Sequence, residues 1–195
     1  KQSNPFDYLK NHFIILSRKI KGFGNIFEEP RVGEDFAYFP LHFEPEIATM
    51  LYAPFFTNQI ALIQNISKSL PVTFKLYIKE HPDMVYRRPT SYYEELKKLP
   101  NVRLINHKID SLLLIKRARL VLTITGTVGW EAAMLSKSVI TFGHAFYNKL
   151  SSVRSCHKPE DISLVIKESL ESQPATDEEL VDFISAILDN SIDFD

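Results

Sequence analysis

Five short apolar runs, each followed by a stretch of helical periodicity, leave this chain few ways to fold. They begin at Phe36, Val72, Val102, Leu120 and Ser138. Strands separated by helices cannot pair as hairpins, so they pair in parallel and need helices on both faces. The expected fold is therefore α/β: a Rossmann-like, three-layer α/β/α domain around a parallel sheet. In such sheets ligands sit beyond the carboxyl ends of the strands. That rule selects four loops to search: His42–Glu46, Glu80-His81-Pro82, Thr125–Gly129 and Gly143–Tyr147.

The stretch Leu120–Gly143 carries the most information. Leu120–Ile124 reads as a buried parallel strand. It breaks at Thr125-Gly126-Thr127-Val128-Gly129, after which Trp130–Leu135 reads as a helix and Ser138–Phe142 as the next strand. Strand, small-residue turn and helix start together make an anion site, because unpaired N–H groups and the helix dipole converge there. The alternative is that Gly126 and Gly129 only permit a tight connection. No G-x-G-x-x-G is present, which argues against a dinucleotide-dependent redox enzyme.

Composition limits the remaining classes. With 195 residues, 45% of them hydrophobic and 24% charged, the chain can build one substantial core and a small appendage. A net charge of −1 gives no electrostatic case for nucleic acid or an anionic membrane surface. No apolar run approaches the ~20 residues that span a bilayer. Cys156 is the sole cysteine, which excludes an internal disulfide and suits a reducing compartment. The first residue is Lys1, and residues 1–34 read as a helix (Pro5–Lys21) and linker from a preceding domain. Residues 35–195 are expected to form the α/β domain.

The other segments follow in order. A helix over Phe55–Leu70 precedes a strand over Val72–Lys79. Ser91–Glu94 resembles a capping box for a helix to about Leu99, and Asp110 or Ser111 can cap the helix ending at Arg117. Pro159–Asp161 opens a helix to about Ser172, and Thr176–Glu179 a final one to about Asn190, with Ser191–Asp195 frayed. In the His42–Glu46 loop, His42, Glu44 and Glu46 can hold a sugar or act as acid and base, or the carboxylates are simply solvated. Pro82 holds His81 extended, and an imidazole beside an anion site can donate to a phosphate; packing at a strand end is the alternative. Of Arg87 and Arg88, at least one is expected to be a solvated surface group.

At these residues the chain resembles a known family. FPLHFEPE, KEHP, PNVRLI, IDSLLLIKRARLVLTITGTVGWEAAMLSKSVITFG and the following AFY are similar to the bacterial capsule polysaccharide biosynthesis proteins, which include Kdo transferases. The resemblance runs from about Phe36 to Tyr147. It implies the C-terminal, donor-binding half of a GT-B glycosyltransferase, cytoplasmic in a bacterium, with a CMP-sugar such as CMP-Kdo as donor substrate. It also implies a glycan or glycolipid acceptor, an N-terminal GT-B half-domain as partner, and peripheral membrane association through the full-length protein.

By the same resemblance, Glu80, His81 and Pro82 lie against the nucleotide. Thr125, Gly126 and Thr127 contact the donor phosphate, Gly129 allows close approach, and Glu131 reaches the ribose or base or is buried. His42, Glu44 and Glu46 face the donor sugar or the opposing domain. No cofactor is implied. No metal is implied either, since no DxD-type carboxylate cluster is present and a helix start with a histidine can replace a cation. A UDP-sugar transferase or epimerase of the same fold, and a non-catalytic scaffold domain, remain open alternatives. The excised domain is expected to be inactive alone.

Overall fold

Period-two alternation along each strand sorts the side chains into two apolar layers. The computed structural model describes residues 5–45 and 47–189. In β1 (Phe36–Pro40), Ala37 and Phe39 enter one layer, while Phe36 and Tyr38 enter the other. β2 (Lys75–Lys79) divides in the same way, with Leu76 and Ile78 opposite Tyr77. Both faces of the sheet are thus apolar, and both are covered.

One layer packs under α3 (Gln59–Ser69), α4 (Thr90–Lys97) and α7 (Ile162–Glu171), through Leu62, Ile63, Ile66, Tyr93, Leu96, Ile162 and Ile166. The other packs under α5 (Ser111–Arg117), α6 (Thr127–Met134) and α8 (Asp177–Asp189), through Leu114, Ile115, Ala132, Ala133 and Leu180. The remaining strands are β3 (Val102–Ile105), β4 (Leu120–Thr123), β5 (Val139–Thr141) and β6 (Val153–Ser155). Among the described residues, the six strands pair in parallel in the order β3-β2-β1-β4-β5-β6. The chain reverses direction across the sheet between β1 and β4, where a crevice opens at the strands' carboxyl ends. The expected three-layer α/β/α fold is the one observed.

Several boundaries differ from the sequence reading. The second strand starts at Lys75, because Pro71–Phe74 turns back on itself (Phe74 N–H to Pro71 O, 2.8 Å) and leaves Val72 exposed. The helix expected from Phe55 begins at Gln59, where the Asn58 side chain accepts the Ala61 N–H; Pro54–Phe56 forms a separate 3-10 turn. A short helix, α2 (Ile47–Tyr52), precedes it. The Ser91 capping box does not form, since the cap position falls two residues earlier, at Pro89, and α4 starts at Thr90. Asp110 does cap α5, accepting the Leu112 N–H at 3.0 Å. Thr176 accepts the Glu179 N–H at 3.2 Å, but the Glu179 carboxylate binds Ser151 instead of closing the box. β6 has no counterpart among the expected strands, being three residues long with two half-exposed. Residues 190–195 and Glu46 lie outside the described residues.

α1 (Pro5–Lys21) ends at Gly22, whose φ of +63° and bond from its N–H to Arg18 O suit a glycine stop. Its Leu9, Phe13 and Ile20 side chains are exposed. The stretch from Gly22 to Glu34, read as linker, lies on the sheet edge. Phe23 stacks on Tyr86 at 4.7 Å, and the Glu28 backbone bonds Leu104 O and the Asn106 N–H beside β3. Among the described residues, no helix is long and apolar enough to cross a membrane.

Candidate functional site

The carboxyl ends of β1, β2 and β4 bound a cleft of about 350 Å³ at the switch point. Its lining includes His42, Glu80, His81, Pro82, Thr125, Gly126 and Thr127, so three loops far apart in the sequence meet there. The Gly143–Tyr147 loop does not line it.

The turn after β4 is built by polar interlocks. The Thr123 hydroxyl accepts the Gly126 N–H at 3.1 Å and lies 3.0 Å from His42 Nε2. His42 Nε2 also accepts the Ile124 N–H at 3.1 Å. Nε2 is therefore an acceptor, and His42, although it lines the cleft, works inward to join the β1 loop to β4. Gly126 has φ −75°, open to any residue, but a Cβ there would lie 2.8 Å from Thr123 Oγ1 and 3.2 Å from His42 Cε1. Space, not conformation, requires glycine.

From Gly126 the chain enters α6 without a side-chain cap. The Gly129 N–H returns to Gly126 O at 3.1 Å, while the Thr127 and Val128 N–H groups border the cleft at the positive end of the helix dipole. Gly129 itself does not face the cleft. The space its missing Cβ would fill is taken by the Tyr147 ring and hydroxyl, and that hydroxyl donates to Gly126 O at 2.6 Å. Gly129 thus admits Tyr147, a structural clamp, rather than a ligand. Glu131 is exposed one turn further along α6 and lies outside the lining, so the buried role considered for it is excluded.

Across the cleft, His81 caps a 3-10 turn (Pro82–Met84): its Nδ1 accepts the Asp83 N–H at 3.2 Å. In the neutral ring the proton then sits on Nε2, which has no partner among the described residues. The ring is about one-third exposed, and Phe43 packs edge-on against it at 6.1 Å. Glu80 holds this loop from behind. Its carboxylate accepts the His81 N–H at 2.7 Å, Arg88 Nε at 2.7 Å and the Tyr93 hydroxyl at 2.6 Å.

Arg88 is 2% exposed and binds Glu80, Glu44 and His42 O, with its guanidinium 4.4 Å above the Tyr92 ring. Burial would lower its pKa, but the Glu80 and Glu44 carboxylates outweigh burial and raise it. Glu44 also accepts from Gln59 at 2.6 Å. Arg87 is solvated, so the pair divides as expected. Glu80, Arg88 and Glu44 form a scaffold tying the first two rim loops together, a role the sequence hides because these residues are 8 and 44 positions apart.

Lys79 was not singled out from the sequence. It ends β2 on the face shared with Tyr77, is 7% exposed, and lines the cleft floor with Tyr38 and Ser111. Its Nζ donates to Ser111 Oγ at 2.7 Å. Desolvation pulls the ammonium below its ordinary pKa, with Asp110 and Glu131 opposing that through space. Burial pushes the Tyr38 phenol up to about 12, so it remains a protonated donor. The only signal for Lys79 was a cation at the carboxyl end of a strand whose inner positions are apolar. His107 lies away from the cleft among Phe23, Phe27 and Tyr86, and His144 pairs with His157 at 5.2 Å. No cluster of three metal-ligating side chains occurs among the described residues.

A sequence model of the family described as capsule polysaccharide biosynthesis protein matches residues 55–152, half of the chain. Protein FixF of Sinorhizobium fredii is 34% identical over 116 residues, which cover 58% of this chain and 27% of FixF. Among solved structures, the chain is similar to Thermosulfurimonas dismutans KpsC, a beta Kdo 2,7 transferase (TM-score 0.54, 16% identity, 95% of this chain and 63% of that one). It is also similar to the UDP-GlcNAc 2-epimerase of Methanocaldococcus jannaschii (TM-score 0.55, 18% identity, 89% and 50%). At such identities the structural likeness shows a shared fold. The chain spans about a quarter of the curated relative's length and less than two thirds of either solved chain.

Proposed function

The chain belongs to the capsule polysaccharide biosynthesis protein family, and on that premise we propose that it is the donor-binding half of a glycosyltransferase that uses a CMP-sugar such as CMP-Kdo. One observation carries the reading. A histidine with its proton on an outward Nε2 and a helix start with uncapped N–H groups border one cleft, at the sheet's switch point. A phosphate seated there receives the Thr127 and Val128 N–H groups on one side and the His81 Nε2–H on the other. As the glycosidic C–O bond breaks, negative charge grows on the departing phosphate, and donors already aimed at it stabilise that charge. Pro82, Thr125 and Gly126 shape the pocket, and Glu80 fixes the His81 backbone. His42 and Glu44 are engaged inside the protein and Glu46 lies outside the described residues, and on this reading the base that activates the acceptor belongs to an opposing domain. The chain alone therefore binds donor without transferring sugar.

Calorimetry with CMP, with UMP as control, tests this on the wild type and His81→Ala. CMP should bind, UMP more weakly, and the substitution should lower CMP affinity about tenfold or more, the scale of a lost charge-assisted hydrogen bond. Preference for UMP would move the assignment to a UDP-sugar enzyme of the same fold. Binding of neither would favour the scaffold reading.

A further inference from the structure

We propose that Lys79 and Ser111 form the phosphate-binding floor of the cleft, with the Lys79 ammonium as its fixed charge. An ammonium carries three N–H donors. Lys79 gives one to Ser111 Oγ, and among the described residues no second acceptor and no paired carboxylate meets it. It is nevertheless buried, only 7% exposed. A cation taken out of water with no carboxylate in direct contact costs stability, and Asp110 and Glu131 offset that only through space, so one at a cleft floor suits a ligand that supplies the missing contact charge.

The neighbours point the same way. Ser111 Oγ receives Lys79 Nζ and, at 3.5 Å, the Tyr38 hydroxyl, which leaves its own hydrogen to give. The floor thus offers N–H and O–H donors in excess of acceptors. The single carboxylate in the lining, Glu80, is already committed to Arg88, Tyr93 and the His81 N–H. The uncapped N–H groups of α6 border the same cleft. A compact anion with three or four acceptor oxygens satisfies this set, and phosphate has that shape and charge. Identifying it as the donor's phosphate rests on the nucleotide-sugar reading above; the anion site itself does not.

The test titrates inorganic phosphate, CMP and cytidine into the wild type, Lys79→Met and Ser111→Ala, and records each melting temperature. Lys79→Met should weaken phosphate and CMP about tenfold or more and Ser111→Ala by a smaller factor, with cytidine binding unchanged. Methionine fills the same volume without a buried charge, so the Lys79→Met melting temperature should be equal or higher, as expected where a ligand site is held at the expense of stability. Wild type that binds phosphate but not CMP, with Lys79→Met binding neither, would keep the floor and remove the nucleotide reading. Wild type that binds no phosphate, Lys79→Met that binds it normally, or a variant that melts several degrees lower would each overturn the proposal.

Discussion

Gly126 shows how closely the cleft wall is packed. Its missing Cβ leaves room for Thr123 Oγ1 and His42 Cε1, and its own N–H and C=O are held by Thr123 and Tyr147. Gly126→Ala should therefore cost about 1–3 kcal/mol in denaturant unfolding, as overpacking does in tight interiors. An unchanged midpoint would mean the turn has slack that the contacts do not suggest. The sequence marked Thr125–Gly129 as special, and the cleft contains most of it. It did not distinguish the two glycines, because which one faces a ligand depends on Tyr147, eighteen residues beyond Gly129 in the chain. Likewise His42, Glu44 and Glu80 were visible as polar residues at strand ends, but their commitment to Ile124, Gln59 and Arg88 comes from tertiary contact alone.

At the level of elements, the strands were legible because the central ones carry apolar residues on both faces, and a central parallel sheet imposes that pattern. Short edge structure was not. β6 has three residues with a single fully buried position, too few for any period to register. The segment before β1 was read as linker from its glycines and charges, yet its charges form a network: Arg103 binds Glu34 at 2.5 and 2.8 Å and Glu28 at 2.9 Å, and Tyr77 donates to Glu34 at 2.7 Å. Burial would raise the Glu34 carboxyl, but Arg103 and Tyr77 outweigh it and hold it below its ordinary value. A depressed carboxyl contributes stability that is present above its unfolded pKa and is lost as pH falls through the folded one. Glu34→Gln should accordingly cost about 1–2 kcal/mol at neutral pH, the range for hydrogen bonds to charged groups after partial screening. Chemical denaturation well below the ordinary carboxylate pKa should narrow the gap between variant and wild type. A constant gap at both pH values would assign the effect to packing.

On the scale of the whole molecule, the strand order places three independent loops on one crevice, and the proposed nucleotide-sugar site rests on that crevice and its donor-rich lining. The fold could be read in advance because alternation is a local property. The charge balance of the cleft could not, since Lys79, Ser111 and the α6 start meet only when β2, α5 and β4 are assembled. The most direct measurement is a CMP titration followed by amide NMR on this chain. The Thr127 and Val128 N–H signals and the His81 ring should shift most, saturating together with one affinity. Shifts that saturate elsewhere, such as the groove between α3 and α7, with Thr127, Val128 and His81 unmoved, would contradict a donor site at the switch point.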